Sequence, residues 1–279
     1  MLNAFLAAIM NPLEVVGSKL SMQRLKINYA AFASVEMAFI FFIGVIPFLI
    51  WGKIDDAFFT PKYLLYFSAI VFFGFLHNFF YFRSLSKEEL CNIQPIAMLE
   101  PLTAVILAAA IFPSERNWPV FGLAIVASVA LLLSKIEKHK LKFSKYSLTM
   151  LGYVICSATE GIFIKLTLGP INPVALYVLR VGVITALLLS YFRPNLRVFG
   201  EQRIFSLFSI AAIVLIEFSS RYAAIEKIGI VQSSLIFLLG PVLVLLASRF
   251  YLKEKFTLKM ALADIVILLC IGALPFLSK

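Results

Sequence analysis

The chain has 279 residues, of which 62% are hydrophobic and 14% charged, with a formal net charge of +10 and a mean hydropathy of +0.97. Soluble domains average about 45–50% apolar and about 25% charged, so the composition excludes an ordinary soluble domain and implies an all-α, polytopic membrane protein. The positive charge does not point to nucleic acid: the basic residues sit in connectors between apolar runs, where they set topology and meet anionic lipid head groups.

The apolar runs predict ten spans, at about 2–22, 30–51, 63–82, 90–112, 118–134, 147–167, 173–192, 205–222, 229–250 and 257–277, each close to the roughly 20 residues that a bilayer crossing needs. Span one carries Asn11-Pro12-Leu13-Glu14, and a lysine, Lys19, five residues after the glutamate. Proline removes a backbone donor, so Asn11-Pro12 is expected to interrupt this helix near the midplane. Span three ends in His77-Asn78 and an aromatic run, Phe79 to Phe82. His77 and Asn78 are candidates for a proton relay or for hydrogen bonds to a substrate, against the plainer reading of a satisfied interhelical bond. Span four holds Gln94 and then Glu100-Pro101. A glutamate facing lipid would be costly, so Glu100 is expected to face a cavity.

The basic connector from Lys135 to Lys145 divides the chain into a first membrane repeat (1–134), a linking loop (135–146) and a second repeat (147–279). Span six then repeats the motif of span one, with Glu160 and Lys165 at the same spacing as Glu14 and Lys19. Five residues on a helix turn through 500°, so each lysine lies about 140° round from its glutamate. Partners are therefore expected across the bundle, Glu14 with Lys165 or Arg180 for instance. Such pairs either lock helices together or bind a proton or a substrate group. Span seven carries Arg180, span eight Glu217 and Arg221, span nine Gln232, Ser233 and Ser234, and span ten Asp264. Arg221 and Lys19 lie near predicted helix ends and are expected to reach the interface along their stems. Five spans is an odd number, so the two halves must run in opposite directions, as an inverted repeat with its site near the midplane.

The order of these elements carries a resemblance. The segment from Tyr222 to Gly229, followed by Pro241 and Leu252-Lys253-Glu254, with a first-half counterpart running from Tyr81 through Pro101 to Glu115, resembles the EamA-type ten-span transporters of the drug/metabolite transporter superfamily. Lys165 and Arg180 also stand where that family often places a lysine and an arginine. The sequence departs from the pattern at Asp264 and Glu36. Around Glu14 it is also similar, over a few residues, to the small multidrug resistance proteins, in which a carboxylate binds either a proton or a cationic drug. The resemblance implies transport and leaves the substrate open.

Together these readings give a secondary transporter, not an enzyme, that moves a small polar or charged metabolite by alternating access, with protons or another ion for coupling. The alternative is an exporter of lipophilic or quaternary ammonium cations. The expected substrate- or proton-binding residues are Glu14, Lys19, His77, Asn78, Glu100, Glu160, Lys165, Arg180 and Glu217. No metal and no cofactor are expected: the three cysteines and two histidines have no ligand spacing. Membrane lipids are the surroundings, nucleic acid is not a partner, and the chain is expected to act as a monomer in the cell (inner) membrane. Sixteen of the 25 Lys and Arg fall on one side of the predicted spans and five on the other, which by the positive-inside rule turns both termini outward; the resemblance implies termini inside. A reporter fused after Lys279 distinguishes the two.

Overall fold

Long apolar runs must satisfy their own backbone groups in lipid, and a helix does this within one segment. A computed structural model describes residues 1–25, 27–134, 136–137, 140–141, 145–194, 201–253 and 257–277. Its helices are α1 (Leu2–Leu25), α2 (Tyr29–Trp51), α3 (Pro61–Lys87), α4 (Leu90–Ala97), α5 (Leu99–Ile111), α6 (Trp118–Ser134), α7 (Lys145–Thr167), α8 (Pro173–Phe192), α9 (Glu201–Phe237), α10 (Leu239–Ala247) and α11 (Leu258–Leu277). Two strands of two residues each, Ile136–Glu137 and Lys140–Leu141, pair antiparallel between α6 and α7. The chain is thus an all-α polytopic membrane protein. The motif residue Glu254 and much of the basic linker lie outside the described residues.

Local chemistry sets the ends. The Asn28 side chain accepts from Ala30 N (3.3 Å) to start α2, and the Asn172 side chain accepts from Ala175 N (2.9 Å) to start α8. Pro61 and Pro173 occupy first-turn positions, where a missing N–H costs nothing. Six stretches among the described residues are long and apolar enough to cross a bilayer: Tyr29–Trp51, Pro61–Lys87, Leu90–Ile111, Leu148–Thr167, Pro173–Phe192 and Ile204–Leu252. Their outward faces carry residues such as Phe42, Leu49, Leu65 and Phe72.

The last stretch has 49 residues, about 73 Å at 1.5 Å per residue and more than twice the roughly 30 Å of a hydrocarbon core. It is broken inside α9 at Gly229, whose φ of 80° and ψ of 173° are open essentially to glycine alone. Glu115, from the turn after α5, caps the restarted helix by accepting from Ile230 N (3.2 Å) and Val231 N (2.8 Å).

Three features differ from the sequence expectation. The span predicted at 90–112 is divided at Met98 into α4 and α5, and that at 229–250 is divided at Leu238, ahead of α10. In both cases a proline, Pro101 or Pro241, stands three residues beyond the division, where it deprives the preceding turn of a donor. Pro12, by contrast, does not interrupt α1, which runs helical on both sides of it.

The helices interlock in pairs: α1 with α9, α3 with α7, α2 with α8, and α6 with α11. The α2–α3 and α7–α8 connections meet at one end, where Asp55 N donates to Pro170 O (2.7 Å) and Asn172 Nδ2 to Trp51 O (2.6 Å). On α11, Asp264 is buried with no hydrogen-bond partner for either carboxylate oxygen. A buried polar group without a partner costs about 1–3 kcal/mol, so Asp264→Leu is expected to raise the melting temperature of the purified protein; a fall in that temperature would show that Asp264 holds a needed contact.

Candidate functional site

Small residues on α1 (Ala7, Ala8) let the neighbouring helices approach, and polar side chains from eight helices converge beside them. The cavity between them is lined by Asn11, Glu14, Glu36, His77, Asn78, Tyr81, Gln94, Glu100, Tyr153, Tyr177, Arg180, Glu217, Phe218, Arg221 and Phe237, with Pro101 and Pro241 at the two helix divisions. The centre of a water-sized sphere can range over about 70 Å³ in it. One water needs about 10–15 Å³ by that measure, so there is room for several waters or a small metabolite.

Two buried ion-pair clusters stand at the cavity. In the first, Glu160 on α7 is held by Arg180 Nε from α8 and by His77 Nδ1 from α3 at 2.6 Å. Arg180 is only 2% exposed. Gly74 makes room for this cluster: a Cβ there would lie 2.9 Å from Glu160 Oε1 and 3.0 Å from Arg180 Nη2. Asn78 Nδ2 donates back to Gly74 O at 2.7 Å. In the second cluster, Arg221 Nη2 on α9 donates to both oxygens of Glu100 (2.8 and 2.7 Å), and Ser157 Oγ adds a bond to Glu100 at 3.3 Å. The Arg221 guanidinium also lies over the Phe237 ring, 4.7 Å from its centroid, a favourable cation–π placement.

Three further carboxylates reach the cavity from α1, α2 and α9. Glu14, Glu36 and Glu217 are buried, and among the described residues none has a cationic side chain within ion-pair distance. Their hydrogen bonds come from neutral donors: Tyr81 OH to Glu14 (3.3 and 3.4 Å), Ser18 Oγ to Glu36 (3.2 Å) and Asn11 Nδ2 to Glu217 (3.0 Å). Tyr177 and Phe218 stack beside them with ring centroids 5.6 Å apart.

Six of the nine residues expected from sequence line this cavity: Glu14, His77, Asn78, Glu100, Arg180 and Glu217. Glu160 stands directly behind, lining a smaller adjoining space of about 30 Å³ with His77 and Arg180. Lys19 and Lys165 line neither. Lys19 donates to the carbonyls of Leu85 and Glu88 where α3 ends, where the helix dipole favours a cation. Lys165 pairs with Glu115 and lies over the Phe112 ring. The cross-bundle pairing expected for Glu14 is therefore not formed, because Arg180 is committed to Glu160 and Lys165 to Glu115. Arg221, expected at the interface, is drawn inward by Glu100. Its four-residue spacing from Glu217 puts both on one helix face, a signal that could have placed it. Glu36 joins the site as well; the sequence marked it as a charge within span two and as a departure from the family pattern, and it lies one turn from Ile40, which is also buried.

Solved structures match the chain. One, described only as a crystal structure of a protein, covers 99% of this chain and 97% of its own at 16% identity, with a TM-score of 0.74, a likeness of fold. No curated protein matches. The EamA-like transporter family matches residues 1–135 and 144–275, nearly the whole chain, and its members are membrane transporters. The chain belongs to the EamA-like transporter family.

Proposed function

We propose that this protein is a secondary transporter that crosses the cell membrane ten times, as two inverted five-helix repeats, and carries a small polar or charged metabolite through the central cavity by alternating access. The observation that carries the reading is the cavity itself: a space built from both halves of the chain and lined by charged groups that are costly to keep inside a bilayer.

The packing supports the repeat. Exchanging α1 with α7, α2 with α8, α3 with the first part of α9, α4 and α5 with the rest of α9 and α10, and α6 with α11 turns the observed helix pairs into one another. The α1–α9 pair becomes α7–α3, while α2–α8 and α6–α11 map onto themselves. Ten crossings also bring the α2–α3 and α7–α8 connections, which are hydrogen-bonded to each other, to one side of the membrane. Lys165 with Glu115 then closes that side and Lys19 with the end of α3 the other, two contacts whose alternate opening would expose the cavity. The excess of basic connectors favours termini outside.

A second reading, an exporter of lipophilic or quaternary ammonium cations, is favoured by Glu14, Glu36 and Glu217 and by the aromatic lining. A panel of solutes sorted by charge, tested for thermal stabilisation of the purified protein, checks both. A ligand at 100 times its dissociation constant adds about 2.7 kcal/mol to stability. One charge class is expected to stabilise the wild type and to lose its effect in Glu100→Gln or in Glu217→Gln, two carboxylates that line the cavity. Stabilisation that survives both changes for every class would put binding outside the cavity.

A further inference from the structure

We propose that the α1, α2 and α9 wall of the cavity is a subsite for a small primary alkylammonium ion, and that the transported solute carries such a group without a carboxylate. This deepens the transport reading and rests on it. The argument begins with charge. Arg180 and Arg221, the cations that line the cavity, are each committed to a carboxylate, Glu160 and Glu100 respectively. What remains is Glu14, Glu36 and Glu217, hydrogen-bonded only by neutral donors. Three buried carboxylates without an ion-pair partner need a positive ligand or protons to balance them. A solute carboxylate would meet no uncommitted cation among the described residues that line the space, and would add a fourth negative charge.

Hydrogen-bond inventory then selects the kind of cation. Glu217 is 2% exposed, and its Oε2 is buried without a hydrogen-bond partner in the protein. Asn11 Oδ1 is in the same condition, while the amide nitrogen of Asn11 donates to Glu217 Oε1. With Glu217 ionised that bond sets the amide orientation, because a flipped amide would set oxygen against oxygen. Both unpartnered atoms are therefore acceptors on adjoining side chains. A primary ammonium brings three N–H donors and one charge. A quaternary ammonium brings the charge and no donor, and would leave both acceptors unpaired. The ring face of Phe218 nearby suits either cation, so the acceptors make the discrimination.

The test uses a matched four-carbon series on the purified full-length protein: 1,4-diammoniobutane and n-butylammonium as amines, 4-aminobutanoate as the zwitterion, and tetramethylammonium as the cation without donors. Affinity is read by calorimetry and unliganded stability by melting. The amines are expected to bind, with 4-aminobutanoate and tetramethylammonium at least about tenfold weaker. Glu217→Gln is expected to weaken the amines about tenfold or more while the unliganded melting temperature holds or rises, since one of three like charges is gone. Should that variant fail to fold, Glu14→Gln gives the same reading. The proposal is overturned if neither amine binds, if 4-aminobutanoate or tetramethylammonium binds as well as the amines, or if the folded variant keeps wild-type affinity. Flux in proteoliposomes separates the two layers. Amine binding that depends on Glu217 without saturable flux would sink the transport reading and leave the subsite standing. Saturable flux of 4-aminobutanoate without amine binding would do the reverse.

Discussion

Glu160→Leu is expected to destabilise the protein by about 3–5 kcal/mol, the cost of removing one partner of a buried ion pair. The change strands Arg180, a guanidinium that cannot shed its proton and is 2% exposed. His77 loses its carboxylate in the same step. The double variant Glu160→Leu/Arg180→Leu is expected to recover most of the loss, because apolar groups of similar volume often replace a buried ion pair at little cost. Melting of the three proteins in one detergent measures this. Equal melting of the single variant and the wild type would mean that Arg180 finds another carboxylate of the cavity lining. Recovery in the double variant would define the cluster of Glu160, Arg180 and His77 as a clamp between α3, α7 and α8, leaving ligand binding to Glu14, Glu36 and Glu217.

Gly229→Ala is expected to cost about 2–4 kcal/mol. The backbone there, at φ 80° and ψ 173°, penalises any side chain by about 1–3 kcal/mol. An added Cβ would also lie 2.8 Å from Glu115 Oε1, displacing the carboxylate that caps Ile230 N and Val231 N, and loss of a cap costs about 0.5–2 kcal/mol. Glu115→Gln keeps an acceptor for one of those N–H groups but gives up the charge facing both the helix start and Lys165, so a smaller loss, about 1 kcal/mol, is expected. If Gly229→Ala melts with the wild type, the break in α9 is not the state the folded protein occupies.

The all-α membrane class was readable because nothing else accounts for so many apolar runs of crossing length. Several ends were readable too: α2 at Tyr29–Trp51 and α8 at Pro173–Phe192 stand within a residue of the expected spans, where asparagine caps, Gly52 and Pro173 punctuate the chain. Less readable was helix that continues past the apolar run. In α3 it reaches Lys87, and in α9 it crosses the polar segment Ala223–Ile228, since neither proline nor glycine stops it before Gly229. The divisions at Met98 and Leu238 were missed because proline within an apolar run has no single outcome: Pro12 leaves α1 helical, while Pro101 and Pro241 stand beyond breaks.

In the site, burial was legible and partnership was not. Insertion cost alone singled out Glu14, Glu100, Glu160 and Glu217 as inward-facing, and all four are buried. Which cation each meets depends on contacts 121 residues apart, as for Arg221 and Glu100, and no local spacing encodes that. The duplicated Glu and Lys motif also misled by symmetry. Glu160 is saturated by Arg180, whereas Glu14, its counterpart in the first half, has Tyr81 in place of a cation. In α2, Glu36 stands as far from the helix start at Tyr29 as Arg180 does from the start of α8 at Pro173, a carboxylate in place of a cation. Among the described residues, that exchange of sign leaves Glu14 and Glu36 without an ion-pair partner.

Solute counterflow in proteoliposomes tests the central claim most directly. Vesicles containing the purified protein are preloaded with an unlabelled compound that stabilises it, and uptake of the labelled compound is followed over time. Alternating access through one central cavity predicts a transient overshoot that saturates with concentration and is lost or strongly reduced in Glu217→Gln. Uptake that rises linearly with concentration, without overshoot and unchanged by Glu217→Gln, would contradict it and point to a pore or a leak.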